Sequence, residues 1–96
     1  MKSDIRVPLR IASTHPALPG HFPGNPIVPG VVLLDHVAAA LENEGARLAR
    51  IGVVKFLTPL KPEQEATLAI ACDGARVAFR IDREGTPILR GEGELA

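Results

Sequence analysis

The sequence has few aromatic residues, one cysteine and no excess of charge of either sign. Its 96 residues include three Phe, no Trp and no Tyr, and 11 basic residues balance 11 acidic ones. A nucleic-acid-binding surface needs an excess of positive charge and often stacking aromatics, so this composition argues against nucleic acid as a partner. Because Cys72 has no second cysteine to pair with, we interpret it as a small buried apolar residue in a reducing compartment.

The sequence also lacks a long hydrophobic run. The longest apolar helical stretch, Val31 to Leu41, is interrupted by Asp35 and His36 and falls short of the roughly 20 residues that cross a bilayer. Charged side chains at residues 2, 4, 6 and 10 replace the apolar core of a signal peptide. We therefore expect one cytoplasmic domain over residues 1–96, with no membrane partner. Its aliphatic core is thin for this size, which favours dimerisation.

Hydrophobic periodicity predicts one strand, a long loop, one helix and four more strands. Alternation predicts the first strand over residues 5–11, where Pro8 restricts it to a sheet edge or a bulge. Five of the nine prolines fall within residues 16–30, which excludes helix and central strand there. Further strands are predicted over 51–57, 66–72, 77–81 and 87–95, with hairpin turns at Asp73-Gly74 and Glu84-Gly85.

The predicted helix runs from Val31 to about Glu44 and stops at Gly45. Its first ten residues are apolar nearly all round, so other structure should wrap it for most of its length. In so short a chain only the strands can do this. The predicted fold class is therefore α+β: a curved antiparallel β-sheet wrapped around one central α-helix.

Three residues within fifteen positions could together supply acid–base chemistry. His21 lies in the proline-bracketed loop, which should hold its imidazole ring in one orientation. Asp35 lies in the apolar helix, where we expect desolvation to raise the pKa of its carboxyl, as suits a general acid. Gly30 stands at the helix start, where a backbone N–H lacks an intrahelical partner and could polarise a carbonyl oxygen.

Other chemistries lack their characteristic spacing. No paired ligand spacing links the three histidines and Asp35, so we expect no metal. A serine hydrolase motif and a phosphate-binding glycine loop are both missing, and Cys72 has no adjacent base. His36 points about 100° away from Asp35 on the helix and is interpreted as packing or support. His15 could line the loop. Structural roles for His21 and Asp35, as a loop residue and a hydrogen-bonded polar group, stay open on this reasoning.

The segment from His21 to Asp35, HFPGNPIVPGVVLLD, resembles a known motif. It is similar to the pattern of the β-hydroxyacyl-acyl carrier protein dehydratases, His-Phe-Pro-x-x-Pro-x-x-Pro-Gly-Val with an acidic residue fourteen positions after the histidine. Residues 54–62, VKFLTPLKP, resemble the strand and turn that follow the helix in that family. The resemblance covers roughly residues 13–95.

The resemblance implies a hotdog fold and a homodimer in which His21 of one subunit meets Asp35 of the other. It implies that His21 removes the α-proton of a 3-hydroxyacyl thioester, that Asp35 protonates the departing hydroxyl, and that the Gly30 N–H holds the thioester carbonyl. The products are a trans-2-enoyl thioester and water, and the reaction needs no cofactor. The residues expected to bind substrate are Gly30, Val31, Phe22 and Pro29.

Within the family, the chain looks most like the short dehydratases of aryl-polyene and xanthomonadin-type pigment clusters. It carries Asp35 where the general fatty-acid members carry Glu. Two alternatives to a dehydratase are a non-catalytic subunit that binds acyl groups or carrier protein, and a hotdog acyl thioesterase. Carrier proteins are acidic, so docking should use basic side chains. Those available are Lys55, Lys61, Arg76, Arg80 and Arg83.

Overall fold

The computed structural model describes residues 2–16, 18 and 27–96. Its elements are, in order, β1 (Lys2–Leu9), α1 (Gly30–Asn43), β2 (Leu48–Phe56), β3 (Ala66–Asp73), β4 (Arg76–Arg83) and β5 (Thr86–Leu95). The predicted order of strand, loop, helix and four strands is confirmed. Within the described residues, no helix is long and apolar enough to cross a membrane.

The five strands form one antiparallel sheet in the order β1-β3-β4-β5-β2. Tight turns join β3 to β4 and β4 to β5. In the second turn, both Glu84 (φ 51°) and Gly85 (φ 79°) adopt the left-handed conformation that a two-residue hairpin turn of this hand requires. β1 is an edge strand, as Pro8 predicts, and β2 forms the opposite edge.

The core lies between α1 and the concave face of the sheet. Alternate side chains of β3 and β4 are buried, and directly paired residues Leu68, Ile81 and Leu89 form a row across three strands. From the helix, Val32, Leu33, Val37, Ala40 and Leu41 fill the concave side.

The helix ends at the predicted glycine. Gly45 adopts φ 78°, and its N–H donates to the Glu42 carbonyl, while the Ala46 N–H donates to the Leu41 carbonyl. This hydrogen-bond pair is the Schellman motif, which satisfies the last carbonyls of a helix through a left-handed residue. Leu41 itself is fully buried in the core.

One stripe of the helix is open in the single chain, so the expectation that other structure wraps most of α1 is wrong there. Val31, Asp35 and Ala39 recur every four residues and are all exposed. Val31 alone leaves 64% of its surface accessible. The edge strand that α1 contacts is similarly uncovered, because Ile51, Val53 and Phe56 of β2 are exposed too. Most of the apolar residues of α1 are buried as expected, but Val31 and Ala39 form part of a second, outward surface.

Candidate active site

An apolar cleft lies where α1 begins. Residues 27–31 and Leu33 form one wall, and residues 56–60 with Ile88 form the other. The first wall consists of the segment before α1 and the first turn of this helix. The second wall consists of the end of β2 and the segment that follows it. The three predicted substrate-binding residues with described positions, Pro29, Gly30 and Val31, thus line one cleft.

The helix start presents backbone donors to this cleft. Pro29 is the N-cap residue with extended backbone (φ −61°, ψ 142°), and its carbonyl accepts from the Val32 N–H at 3.0 Å. None of the described side chains caps the helix. The N–H groups of Gly30 and Val31 therefore have no intrahelical acceptor. The helix dipole adds partial positive charge at this point, so a carbonyl oxygen with developing negative charge would be stabilised here.

Close packing explains why residue 30 is glycine. A Cβ on residue 30 would lie 2.6 Å from Cζ of Phe56 and closer still to Cε1. The aromatic ring of Phe56 therefore rests directly on the helix start, although 58% of this residue is exposed in the single chain. Sequence reasoning missed Phe56, because nothing in the strand pattern indicates that its ring faces Gly30.

The loop that carries His21 is anchored at both ends to the segment between β2 and β3. At its far end, the Val28 N–H donates to the Leu60 carbonyl at 2.8 Å. At its near end, the Glu63 N–H donates to the Ile11 carbonyl at 2.8 Å, and the Ser13 N–H donates to Oε2 of Glu63 at 2.6 Å. Sequence reasoning missed this anchor, since Glu63 carries no pattern that links it to residues 50 positions earlier.

The surroundings of the Glu63 side chain stabilise its ionised carboxylate. The hydrogen bond from the Ser13 backbone holds the pKa of the Glu63 carboxyl below its ordinary value of 4.5, and the Arg10 guanidinium acts in the same direction. Nη1 of Arg10 lies 3.2 Å from Oε1 of Glu63.

The structure describes only some of the predicted site residues. His21 and Phe22 lie outside the described residues. Asp35 lies one helical turn beyond Val31 on the exposed stripe of α1, so the expected desolvation of its carboxyl is not found in the single chain. The apolar neighbours that suggested desolvation leave the carboxylate uncovered because they point to other sides of the helix. His15 and His36 are half-buried.

Comparison with known proteins places this architecture in a family. The family described as ApeI-like, ApeI dehydratase, matches residues 1–92. The 3-hydroxyacyl-[acyl-carrier-protein] dehydratase FabZ of Verminephrobacter eiseniae is 32% identical over 79 residues, which cover 69% of this chain and 53% of that protein. FabZ of Chlamydia trachomatis serovar D is 34% identical over 103 aligned positions, covering 90% of this chain and 66% of that protein.

Two solved structures have the same fold as this chain. A chain of the dehydratase heterocomplex ApeI:P from Xenorhabdus doucetiae superposes with a TM-score of 0.86 at 26% identity, covering 100% of this chain and 94% of the other. An uncharacterized protein from Erwinia carotovora subsp. atroseptica shares the fold, with a TM-score of 0.79 at 23% identity over 99% of this chain and 84% of the other. The chain spans about half the length of several of the curated relatives it matches. The predicted hotdog fold is confirmed, and the chain belongs to the ApeI-like dehydratase family.

Proposed function

We propose that the protein dehydrates a 3-hydroxyacyl thioester carried on acyl carrier protein, giving the trans-2-enoyl thioester in fatty-acid or polyene-type biosynthesis. The observation that carries the proposal is the glycine helix start packed under Phe56 in an apolar cleft, in a chain of the ApeI-like dehydratase family. An apolar cleft suits an acyl chain, and a helix N-terminus suits a thioester carbonyl.

In the proposed reaction, each residue handles one atom of the substrate. The Gly30 N–H holds the thioester carbonyl oxygen, which gains negative charge as His21 removes the α-proton. The electron pair of the broken C–H bond forms the double bond, and the β-hydroxyl leaves as water after taking a proton from Asp35. Both side chains then return to their starting states when the imidazolium proton reaches the carboxylate through solvent. The thioester itself acidifies the α-carbon, so no cofactor takes part.

We propose that the active enzyme is a homodimer, with His21 of one subunit and Asp35 of the other in each site. Support comes from the surface that the single chain leaves open. An edge strand with unpaired backbone groups and exposed Ile51 and Val53 is a ready surface for pairing. The exposed stripe with Val31 and Asp35 belongs to the helix packed against that strand. A partner on this face would cover Asp35 and supply the desolvation that the single chain lacks.

The substrate partner we propose is an acidic carrier protein in the cytoplasm. Among the basic side chains predicted for docking, Arg80 is paired with Asp82 at 3.2 Å and Arg83 with Glu84 at 3.6 Å. Lys55 and Lys61 are exposed and flank the cleft-lining residues 56–60. We favour these two lysines for docking, because a bound carrier protein would then deliver its acyl arm beside the helix start.

A non-catalytic subunit is the second candidate. The observation in its favour is that the neighbour from Xenorhabdus doucetiae is described as a heterocomplex. In that case this chain would pair through the same open face with a different dehydratase chain, and its own residues would bind the acyl group without turnover. The position of Gly30 against Phe56 is equally compatible with acyl binding.

The test is formation of the enoyl thioester, followed by ultraviolet absorbance, from a 3-hydroxyacyl group on carrier protein. The purified chain should turn over, and His21→Ala and Asp35→Asn should reduce turnover at least about 100-fold. The matched control is His36→Gln, at a histidine next to Asp35 that takes no part in the proposed chemistry, and it should retain activity. Turnover that survives in His21→Ala would refute the assigned base. A homodimer that is inert until a second dehydratase chain is added would favour the non-catalytic subunit.

A further inference from the structure

The segment between β2 and β3 receives both ends of the loop that contains His21. Leu60, which is 1% exposed, binds the Val28 N–H through its carbonyl, and Glu63 binds the Ile11 carbonyl through its N–H. Ile11 is itself 2% exposed, so both anchors are tied to the core. Because positions 60 and 63 are three residues apart, the two anchoring residues lie roughly 11 Å apart or less, which keeps the two ends of the loop close to each other.

Glu63 makes this anchor in a conformation that costs free energy. Its φ of 68° lies in the left-handed region, which glycine adopts freely and a glutamate does not. A residue stays in such a conformation when several interactions fix it. Here these are the bond to the Ile11 carbonyl and the two carboxylate contacts, with the Ser13 N–H and the Arg10 guanidinium.

Stability alone does not account for a glutamate at this position. The Arg10 and Glu63 side chains are 60% and 46% exposed, and exposed ion pairs contribute little to folding. Glycine would remove the backbone strain and would keep the bond from the residue 63 N–H. What only a side-chain acceptor provides is the hold on Ser13, at the point where the chain leaves the core and enters the loop.

We propose that Glu63 is a positioning residue: its carboxylate fixes the start of the loop at Ser13 and thereby sets the approach of His21, eight residues later, to the substrate. The inference rests on the proposed dehydratase function. Glu63 is not among the described residues that line the cleft, so in this proposal it acts through the chain that leads from Ser13 to His21. Small displacements of a catalytic group lower the rate strongly, so a loosened anchor should affect the chemical step more than substrate binding.

The decisive variant is Glu63→Gly, because it removes the carboxylate while relieving the strain. We expect kcat to fall about 10-fold, with KM changed less than about 2-fold, and the melting temperature to be unchanged or higher. Glu63→Gln retains an oxygen that can accept from the Ser13 N–H and should recover most of kcat. If Glu63 only stabilised the fold, each variant would instead lose activity in proportion to its loss of melting temperature.

Glu84→Gly is the matched control. Glu84 is also a glutamate with positive φ, and its carboxylate pairs only with the neighbouring Arg83 among the contacts described for this turn. The same substitution therefore relieves the same kind of strain and removes an exposed carboxylate that is not bonded to Ser13, although it lies in the same groove as Arg10. We expect kcat to stay at the wild-type value. A loss of kcat equal to that of Glu63→Gly would overturn the proposal.

Nuclear magnetic resonance separates this proposal from the proposed function. In Glu63→Gly, but not in Glu84→Gly, the Ser13 amide should exchange faster and the imidazole signals of His21 should shift. Unchanged His21 signals, or wild-type kcat in Glu63→Gly, would overturn the positioning role. If His21→Ala keeps full turnover, or the wild-type chain has none, the assigned chemistry is wrong, and the His21 signals still decide whether Glu63 positions that side chain.

Discussion

Replacing Gly30 with alanine should separate catalysis from stability. The added Cβ would lie 2.6 Å from Cζ of Phe56, closer than real Cβ contacts, so the ring must move. It can move at little cost, since it is the far end of a side chain with 58% of its surface exposed. Alanine is a better helix former than glycine by up to about 1 kcal/mol, which offsets part of that cost. We expect the free energy of unfolding to change by less than about 1 kcal/mol.

The effect on activity should be much larger. The methyl group and the displaced ring would occupy the approach to the Gly30 N–H, where the thioester carbonyl oxygen is proposed to bind. Loss of one such donor typically lowers turnover about 100- to 1000-fold, so we expect kcat/KM to fall about 100-fold, equivalent to about 2.7 kcal/mol of transition-state stabilisation. The assays are enoyl thioester absorbance for activity and urea unfolding for stability.

A matched glycine provides the control for this prediction. In Gly52→Ala, the new Cβ would meet only the Glu92 carbonyl oxygen at 3.4 Å, an ordinary contact. Gly52 lies on β2, the proposed pairing edge, but a methyl group leaves the backbone N–H and C=O groups that pair unchanged, so activity and stability should both stay near wild type. Wild-type kcat/KM in Gly30→Ala would refute the role of the helix start. A drop in activity matched by a loss of several kcal/mol in unfolding free energy would show that the contact with Phe56 is structural.

Three further predictions concern the open face, the docking lysines and the loop anchor. Val53→Lys places a charge on an exposed position of the edge strand β2, so it should reduce the mass in solution to the 10.2 kDa of one chain, measured by light scattering. Loss of the dimer should also lower the apparent stability of the fold. A mass that stays at the dimer value would contradict the proposed interface. The double substitution Lys55→Glu and Lys61→Glu should raise KM for carrier-bound substrate several-fold and leave KM for a small thioester unchanged. Equal effects on both substrates would argue against docking of the carrier protein at these two lysines. The pKa of the Glu63 carboxyl, followed by carbon resonance during titration, should lie below 4.5, and a value at or above 4.5 would refute the Ser13 contact. Because folding lowers this pKa, the anchor's contribution to stability is present above the unfolded-state value and is lost as the pH falls through the folded-state value.

The parts of the fold that follow from local pattern were predictable from the sequence. β3 and β4 alternate because one face is buried, and Gly45 marks the helix end because only a left-handed residue completes the Schellman motif. β2 begins at Leu48, three residues earlier than predicted. Its pairing with β5 shifts between Ile51 and Val54, and this bulge interrupts the alternation on which the prediction relied.

The parts that depend on contacts between distant residues were not predictable. Apolar residues nearly all round α1 predicted that most of the helix is buried. A sequence does not distinguish a surface covered within the chain from one left open for a partner. Val31 and Asp35 lie on a surface that the single chain leaves open. β1 ends at Leu9, before the predicted Ile11, because Ile11 turns away to bind Glu63. Neither that bond nor the ring of Phe56 on Gly30 follows from residue type or spacing.

The most direct test of the central claim is the activity of a purified mixed dimer, in which one subunit carries His21→Ala and the other Asp35→Asn. Each parent homodimer should be inactive. If every site combines a histidine from one subunit with an aspartate from its partner, the mixed dimer retains one intact site and should show about half the wild-type turnover. If the mixed dimer forms and is as inactive as its parents, the two side chains do not meet across the interface, and the account of the active site is wrong.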